Sequence, residues 1–232
     1  MYRDFKDDPH GPFGIAEESW LRKDALAFVI VDMQNYMTNR SYSSRWSADG
    51  AEDYFTRCET VVLPNILRIS ARCREADVPV VYLRIAYRDQ GLADVPAGVC
   101  RKRLAEELFD RSGRPYRLHA DEHASMIDDR IAPLPGDMVM EKTSSGAFCS
   151  AHMDLALRCR GVSRLVFAGG LTDGCVESTV REAFDRGYLC TVVEDACVTS
   201  RREYHDSSLT AMRNYFAWVT DTERIVQAIH SE

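Results

Sequence analysis

Three short apolar runs constrain this chain most: ALAFVIVD at 25–32, VPVVYLRI at 78–85 and RLVFAGG at 164–170. Each has the length of a strand, is rich in β-branched residues and is apolar at successive rather than alternate positions. A strand that reads this way is covered on both faces, which is the condition of a parallel sheet. DMVMEK (137–142), LCTVVED (189–195) and YFAWVTD (215–221) are weaker runs of the same kind. Helical spacing fills the intervals at about 53–76, 149–160, 175–187, 203–214 and 221–230, with Val61, Leu63, Ile66, Leu67 and Ile69 available to one face of the first. Gly161 and Gly187 stand where left-handed caps would end two of these helices. Strands alternating with helices predict βαβ units, hence an α/β fold with helices on both faces of a parallel sheet. No internal repeat or low-complexity linker divides the chain. The expectation is an N-terminal extension over 1–24 and one domain over 25–232.

The balance of residues removes several classes of function. A net charge of −7 with no basic stripe argues against nucleic acid as a partner. No apolar run approaches the roughly 18–20 residues that a membrane span requires. The opening MYRDFKDDPHGPFG is polar and acidic, unlike a signal or transit peptide, so the cytoplasm is the default expectation. The eight cysteines (58, 73, 100, 149, 159, 175, 190 and 197) include no C-x-x-C pair, which disfavours a zinc knuckle or a redox motif. Reduced, mostly buried thiols are expected. A reactive cysteine among them has to be singled out by its surroundings.

Ligands of open parallel sheets bind at the carboxyl ends of the strands. Asp32, Arg84 and Lys142 end three of the predicted strands, and Cys175 follows a fourth across the turn GGLTDG. Taken one at a time, the aspartate reads as a turn former, the lysine as a solvated charge and the cysteine as an inert thiol. Their convergence on one rim favours chemistry. A thiol near a cation or a helix start is expected to fall below its usual pKa of about 8.5. Asp32 is placed to take its proton and later return one to a leaving amine, with Lys142 supplying positive charge. The glycine-rich turn offers backbone N–H groups to a developing oxyanion. It lacks the G-x-G-x-x-G spacing of a dinucleotide site.

VIVDMQNYM, EKTSSGAFCSAHMDLALRCRGV and GGLTDGCVESTVREAFDRGY resemble the three signature regions of the isochorismatase-like cysteine hydrolases. The likeness runs from about Ala25 to near the C-terminus. It implies a six-stranded parallel sheet in the order 3-2-1-4-5-6, an Asp32–Lys142–Cys175 triad and a cis peptide before Leu171. It further implies an oxyanion hole formed by the N–H groups of Leu171 and Cys175. Isochorismatases proper lack the nucleophilic cysteine, so Cys175 favours C–N over vinyl-ether hydrolysis. The segment LRIAYRDQGLAD has no histidine where nicotinamidases hold a metal, and no metal or cofactor is expected. RIAYRDQGLADVP resembles the corresponding loop of biuret and ureide hydrolases, and AMRNYFAWVTDTERIV is similar to the ureidoacrylate amidohydrolases. The implied activity is hydrolysis of a small ureide, N-carbamoyl compound or carboxamide. The alternatives are an ether hydrolase in which Cys175 is idle and a non-catalytic binding protein of the same fold. The implied partners are a small-molecule substrate and further copies of the chain in a dimer or tetramer.

Gln34, Tyr36, Arg84 and Phe148 are the expected substrate contacts, being neighbours of the triad or of the strand ends. Arg84 and Arg88 are suited to a carboxylate or a ureido oxygen. HADEH (119–123) would pair two histidines on a helix, but no third ligand accompanies them. His205 is isolated in the sequence, and Arg201 and Arg202 read as solvated.

Overall fold

The computed structural model describes Leu21 and residues 23–42, 51–89, 93–97 and 119–230. Its strands are β1 Leu26–Val31, β2 Val80–Ile85, β3 Met138–Lys142, β4 Arg164–Gly170, β5 Leu189–Val198 and β6 Trp218–Thr220. They form one sheet in the order β3-β2-β1-β4-β5-β6, with every pair parallel, as expected. The described helices are α1 Asn35–Thr38, α2 Ala51–Arg57, α3 Leu63–Glu75, α4 Met153–Arg158, α5 Glu177–Asp185, α6 Arg202–Tyr215 and α7 Thr222–His230. Most of the predicted extension 1–24 lies outside the described residues, as do Cys100 and parts of the loops 36–52 and 86–130.

Alternation along the strands assigns the two faces. Phe28, Ile30, Val80, Tyr82, Val166 and Ala168 point into a core closed by α3 and α7 through Ile66, Ile69, Ile225 and Ile229. Val29, Val31, Val81, Leu83, Leu165 and Phe167 point the other way, under α4, α5 and α6, where Leu157, Val180 and Met212 meet them. Burial of the enclosed Val, Leu, Ile, Phe and Met side chains among these stabilises the fold by about 1.5–3 kcal/mol each. Gly161 and Gly187 take positive φ where helices end, as expected.

Several boundaries move, each for a physical reason. The predicted helix 53–76 divides because Cys58–Val62 winds as a π-helix between α2 and α3. The predicted helix 149–160 shortens to α4, because residues 143–152 form a loop around the Lys142 side chain. Strand β5 runs on to Val198: after an irregularity it pairs again, Cys197 with Gly169 and Val198 with Gly170. Strand β6 is short because α6 extends to Tyr215 and Phe216 caps it. Gly169 cannot be replaced without distortion. Its φ is +115°, and a Cβ there would lie 2.2 Å from the Val31 carbonyl oxygen. This close approach of β4 to β1 brings the turn that follows Gly170 beside the end of β1.

Candidate active site

The carboxyl ends of β1 and β3 deliver an ion pair with no access to water. Asp32, just past β1, has φ +50°, a left-handed conformation that aspartate tolerates better than most residues. Its amide donates to the Leu83 carbonyl at 3.0 Å, which ties the bend to β2. Lys142, the last residue of β3, pairs in register with Ile85 and shares its face of the sheet. Both charged side chains are 0% exposed, and Lys142 Nζ lies 2.7 Å from Asp32 Oδ2. The same ammonium donates to the Ser144 and Ser145 carbonyls at 2.9 and 3.1 Å. Three acceptors therefore surround a group with three N–H donors.

Cys175 completes the cluster. The chain leaves β4 through Gly170, crosses a cis peptide to Leu171 and turns through Thr172–Val176 into α5. Gly174 breaks the winding with φ −124° and ψ −105°. The Cys175 thiol, buried with the core under α5, interacts with both Asp32 and Lys142. The cis peptide before Leu171 is thus present where the resemblance implied it. Leu171 and Cys175, the residues that the resemblance implies for the oxyanion hole, lie just before this turn and within it.

The electrostatics correct one expectation. Burial pushes the Cys175 thiol up to about 12 against the opposing pull of Lys142, so the resting residue is a neutral thiol. Cys175 also precedes α5 rather than sitting in its first turn, which weakens the predicted help from the helix dipole. Burial likewise raises Asp32 above its ordinary 3.8, with Lys142 and Cys175 opposing. Burial works against the Lys142 ammonium, and the charge of Asp32 beside it, helped by the neighbouring Cys175 sulfur, outweighs it and leaves that pKa raised. The thiol's acidity alone does not distinguish Cys175. Cys58, Cys73 and Cys197 are also pushed to about 12 by burial. What distinguishes it is contact with a buried carboxylate and a buried ammonium.

The expected substrate contacts fare differently. Gln34 is fully buried and clamps the framework: Nε2 donates to the Ile85 and Ser125 carbonyls at 2.8 and 2.5 Å, and Oε1 accepts the Ile85 N–H at 2.8 Å. Arg84 shares the face of Tyr82, opposite Lys142, and donates to Glu141 Oε1 at 2.5 Å and to the Ala120 carbonyl at 3.2 Å. Arg88 grips the same Glu141 through both carboxylate oxygens, at 2.7 and 2.9 Å. The carboxylate predicted for these arginines is the protein's own. The side chains of Gln34 and Arg84 thus both serve the framework in this structure. Tyr36 packs half-buried against the α3 core, and Phe148 lies in the other core against Tyr188, its N–H donated to Glu182 Oε2 at 2.7 Å. A Cβ on Gly146 would lie 2.3 Å from Glu182 Cδ, so glycine there lets this contact form.

Residues 119–122 form a bridge and turn rather than a helix, so the two histidines of HADEH diverge. His119 Nε2 lies 3.2 Å from the Arg88 carbonyl, whereas His123 lies between Tyr42 and Asp129. Among the described residues, no group of three or more His, Cys, Asp or Glu is placed to hold a metal ion. No described helix is long and apolar enough to cross a membrane. Arg202 pairs with Asp206 on its own helix, and Arg201 lies over the Tyr204 ring. Sequence reasoning missed Thr172, Glu182, His205 and Ser208, which hold the site's loops. Their signal was spatial, apart from the place of Thr172 inside the turn itself.

The isochorismatase domain model matches residues 26–224, which takes in Asp32, Lys142 and Cys175. The chain belongs to the isochorismatase family. Within that family it is 30% identical over 219 residues to the ureidoacrylate amidohydrolase of Variovorax paradoxus, covering 87% of this chain and 80% of that protein. It is 29% identical over 209 residues to the ureidoacrylate amidohydrolase of Cronobacter turicensis, covering 88% of each. A cysteine hydrolase from Pseudomonas syringae pv. phaseolicola 1448A superposes with a TM-score of 0.74 at 21% identity, over 90% of this chain and 94% of that one. N-carbamoylsarcosine amidase from Thermoplasma acidophilum gives 0.62 at 23% identity, over 85% and 96%. At such identities these two structures speak to the isochorismatase fold alone.

Proposed function

We propose that this isochorismatase-family chain is a cysteine amidohydrolase that cleaves a C–N bond of a small ureide, N-carbamoyl compound or carboxamide. The observation that carries the reading is the Cys175 thiol held against the buried Asp32–Lys142 pair. Its likeness to ureidoacrylate amidohydrolases supports the substrate class.

The thiol rests protonated, so attack and proton transfer proceed together. Asp32 accepts the thiol proton as sulfur bonds to the amide or carbamoyl carbon. A carboxylate whose own pKa is raised is the better base for this step. Lys142 stays charged and stabilises the negative charge passing between Asp32 and sulfur. The tetrahedral oxyanion rests on the Leu171 and Cys175 N–H groups. Asp32 returns its proton to the nitrogen as the C–N bond breaks, and ammonia or an amine leaves. A water deprotonated by Asp32 then attacks the thioester or thiocarbamate carbon, the C–S bond breaks, and sulfur regains its proton. The sequence consumes one water and regenerates the enzyme without a cofactor.

The test is an ammonia-release screen over ureides, N-carbamoyl amino acids, biuret and small carboxamides. Turnover of at least one class is expected, and turnover of none would sink the reading.

A further inference from the structure

The turn that carries Cys175 leaves the sheet after Gly170 and has to be held by something beyond strand pairing. Within the turn, the Leu171 carbonyl accepts the N–H groups of Gly174 and Val176 at 3.0 and 3.2 Å. The remaining hold comes from the next βα unit, and mostly from α6. Thr172 Oγ1 lies 2.9 Å from His205 Nδ1, with both side chains buried. The Ser208 hydroxyl, one turn further along α6, lies 3.1 Å from the Thr172 carbonyl and 2.5 Å from Glu177 Oε2, with its one proton shared between these two acceptors. Thr199, at the end of β5, donates to Asp173 Oδ1 at 2.5 Å. Two residues of α6 thus grip both the side chain and the carbonyl of Thr172, three positions before the nucleophile.

We infer that His205 is a positioning residue for catalysis, fixing the Cys175 turn through Thr172. Its Nδ1 hydrogen bond goes to Thr172 and not to Asp32, Lys142 or Cys175, so it acts through that turn. A neutral imidazole suits the task, because it offers one N–H and one lone pair and can meet the threonine hydroxyl in either sense. Burial, and then the charges of Arg57 and Arg202, hold the His205 pKa down at about 4, so the ring is neutral at ordinary pH. The ring also forms part of the wall shared by two clefts of about 420 and 460 Å³, together with Arg57 and Arg202. A side chain at the edge of a surface cleft is therefore one hydrogen bond from the turn that aims the thiol.

The inference rests on Cys175 as the reactive thiol, and its test avoids any choice of substrate. Cys175 alkylation by iodoacetamide is followed by peptide-resolved mass spectrometry, which separates it from the exposed Cys149 and Cys159. Thr172→Val and His205→Leu are each expected to change the Cys175 alkylation rate by up to about tenfold, the equivalent of one lost buried hydrogen bond. The double variant is expected to be no worse than either single one, since the two share one interaction. His205→Asn, which keeps a polar atom near Nδ1, is expected to restore the wild-type rate to within about threefold. Thermal unfolding is recorded alongside. Additive effects, or variants that lose stability while Cys175 reacts at the wild-type rate, would show His205 to be structural only and overturn the inference. Failure of the ammonia screen would leave this result standing, so the two claims fail separately.

Discussion

Adjacent residues at the end of β3 build two ion clusters that behave in opposite ways. Glu141 faces one side of the sheet and meets Arg84 and Arg88, whose guanidinium groups hold its carboxyl below the ordinary range despite partial burial. Lys142 faces the other side and meets Asp32, whose carboxyl burial drives upward. One cluster has two cations per carboxylate and an edge in water, with Arg88 67% exposed. The other has one cation, a thiol and no solvent exposure of its charged side chains. Excess positive charge and solvent make Glu141 a fixed anion. Enclosure drives the Asp32 carboxyl the other way, above its ordinary 3.8. The same residue types thus give a solvated strut on one face and an enclosed carboxyl–ammonium–thiol cluster on the other, and the pleat of β3 separates them.

Breaking the buried cluster should have the largest effect. Asp32→Asn and Lys142→Met are each expected to lower kcat/KM by about three orders of magnitude or more, as loss of a group acting with the nucleophile does. Each also leaves one charge buried without its partner, at a cost of about 3–5 kcal/mol in stability, readable by chemical denaturation. A far smaller loss of activity would place the proton transfer elsewhere.

The pH profile sharpens the contrast. Because Asp32 is raised and, as the proposed base, has to be ionised to accept the thiol proton, activity should fall on the acid side. The acid limb of kcat/KM is expected above the ordinary aspartate value of 3.8. Glu141 has the opposite sign. Its lowered pKa contributes stability above the unfolded value of 4.5, and that contribution is lost as pH falls through the native value. Glu141→Gln should therefore flatten the acid limb of stability and lower kcat/KM by less than about tenfold, since its effect on Lys142 is indirect. A Glu141→Gln enzyme as inactive as Lys142→Met would collapse the distinction between the two clusters. Arg88→Ala should do least, about 0–1 kcal/mol, as expected of an exposed pair. Urea unfolding measures it.

The sequence made the sheet legible where strands are buried on both faces. β1, β2 and β4 appear as unbroken apolar runs because no position along them faces water. Strand β5 and the helices around 58 and 149 were less legible, since their limits depend on an irregular pairing, a π-helix and the loop that encloses Lys142. Asp32, Lys142 and Cys175 could be found because strand ends in such sheets converge, and spacing alone locates strand ends. The framework bonds of Arg84 and Gln34 were not legible for a different reason. Proximity to the rim says nothing about the face a side chain takes, although the alternation Val80–Tyr82–Arg84 already placed Arg84 with the opposite core. His205 was invisible as a site residue, because its link to Thr172 spans 33 positions and arises only when α6 packs beside α5.

The central claim is that Cys175 is the nucleophile, and Cys175→Ala tests it most directly, on whichever substrate the ammonia screen identifies. Activity should fall to background while the unfolding transition stays cooperative. In parallel, acid-quenched wild-type enzyme should carry a mass increment on the Cys175 peptide equal to the acyl or carbamoyl fragment. An alanine variant that still turns over substrate would contradict the account.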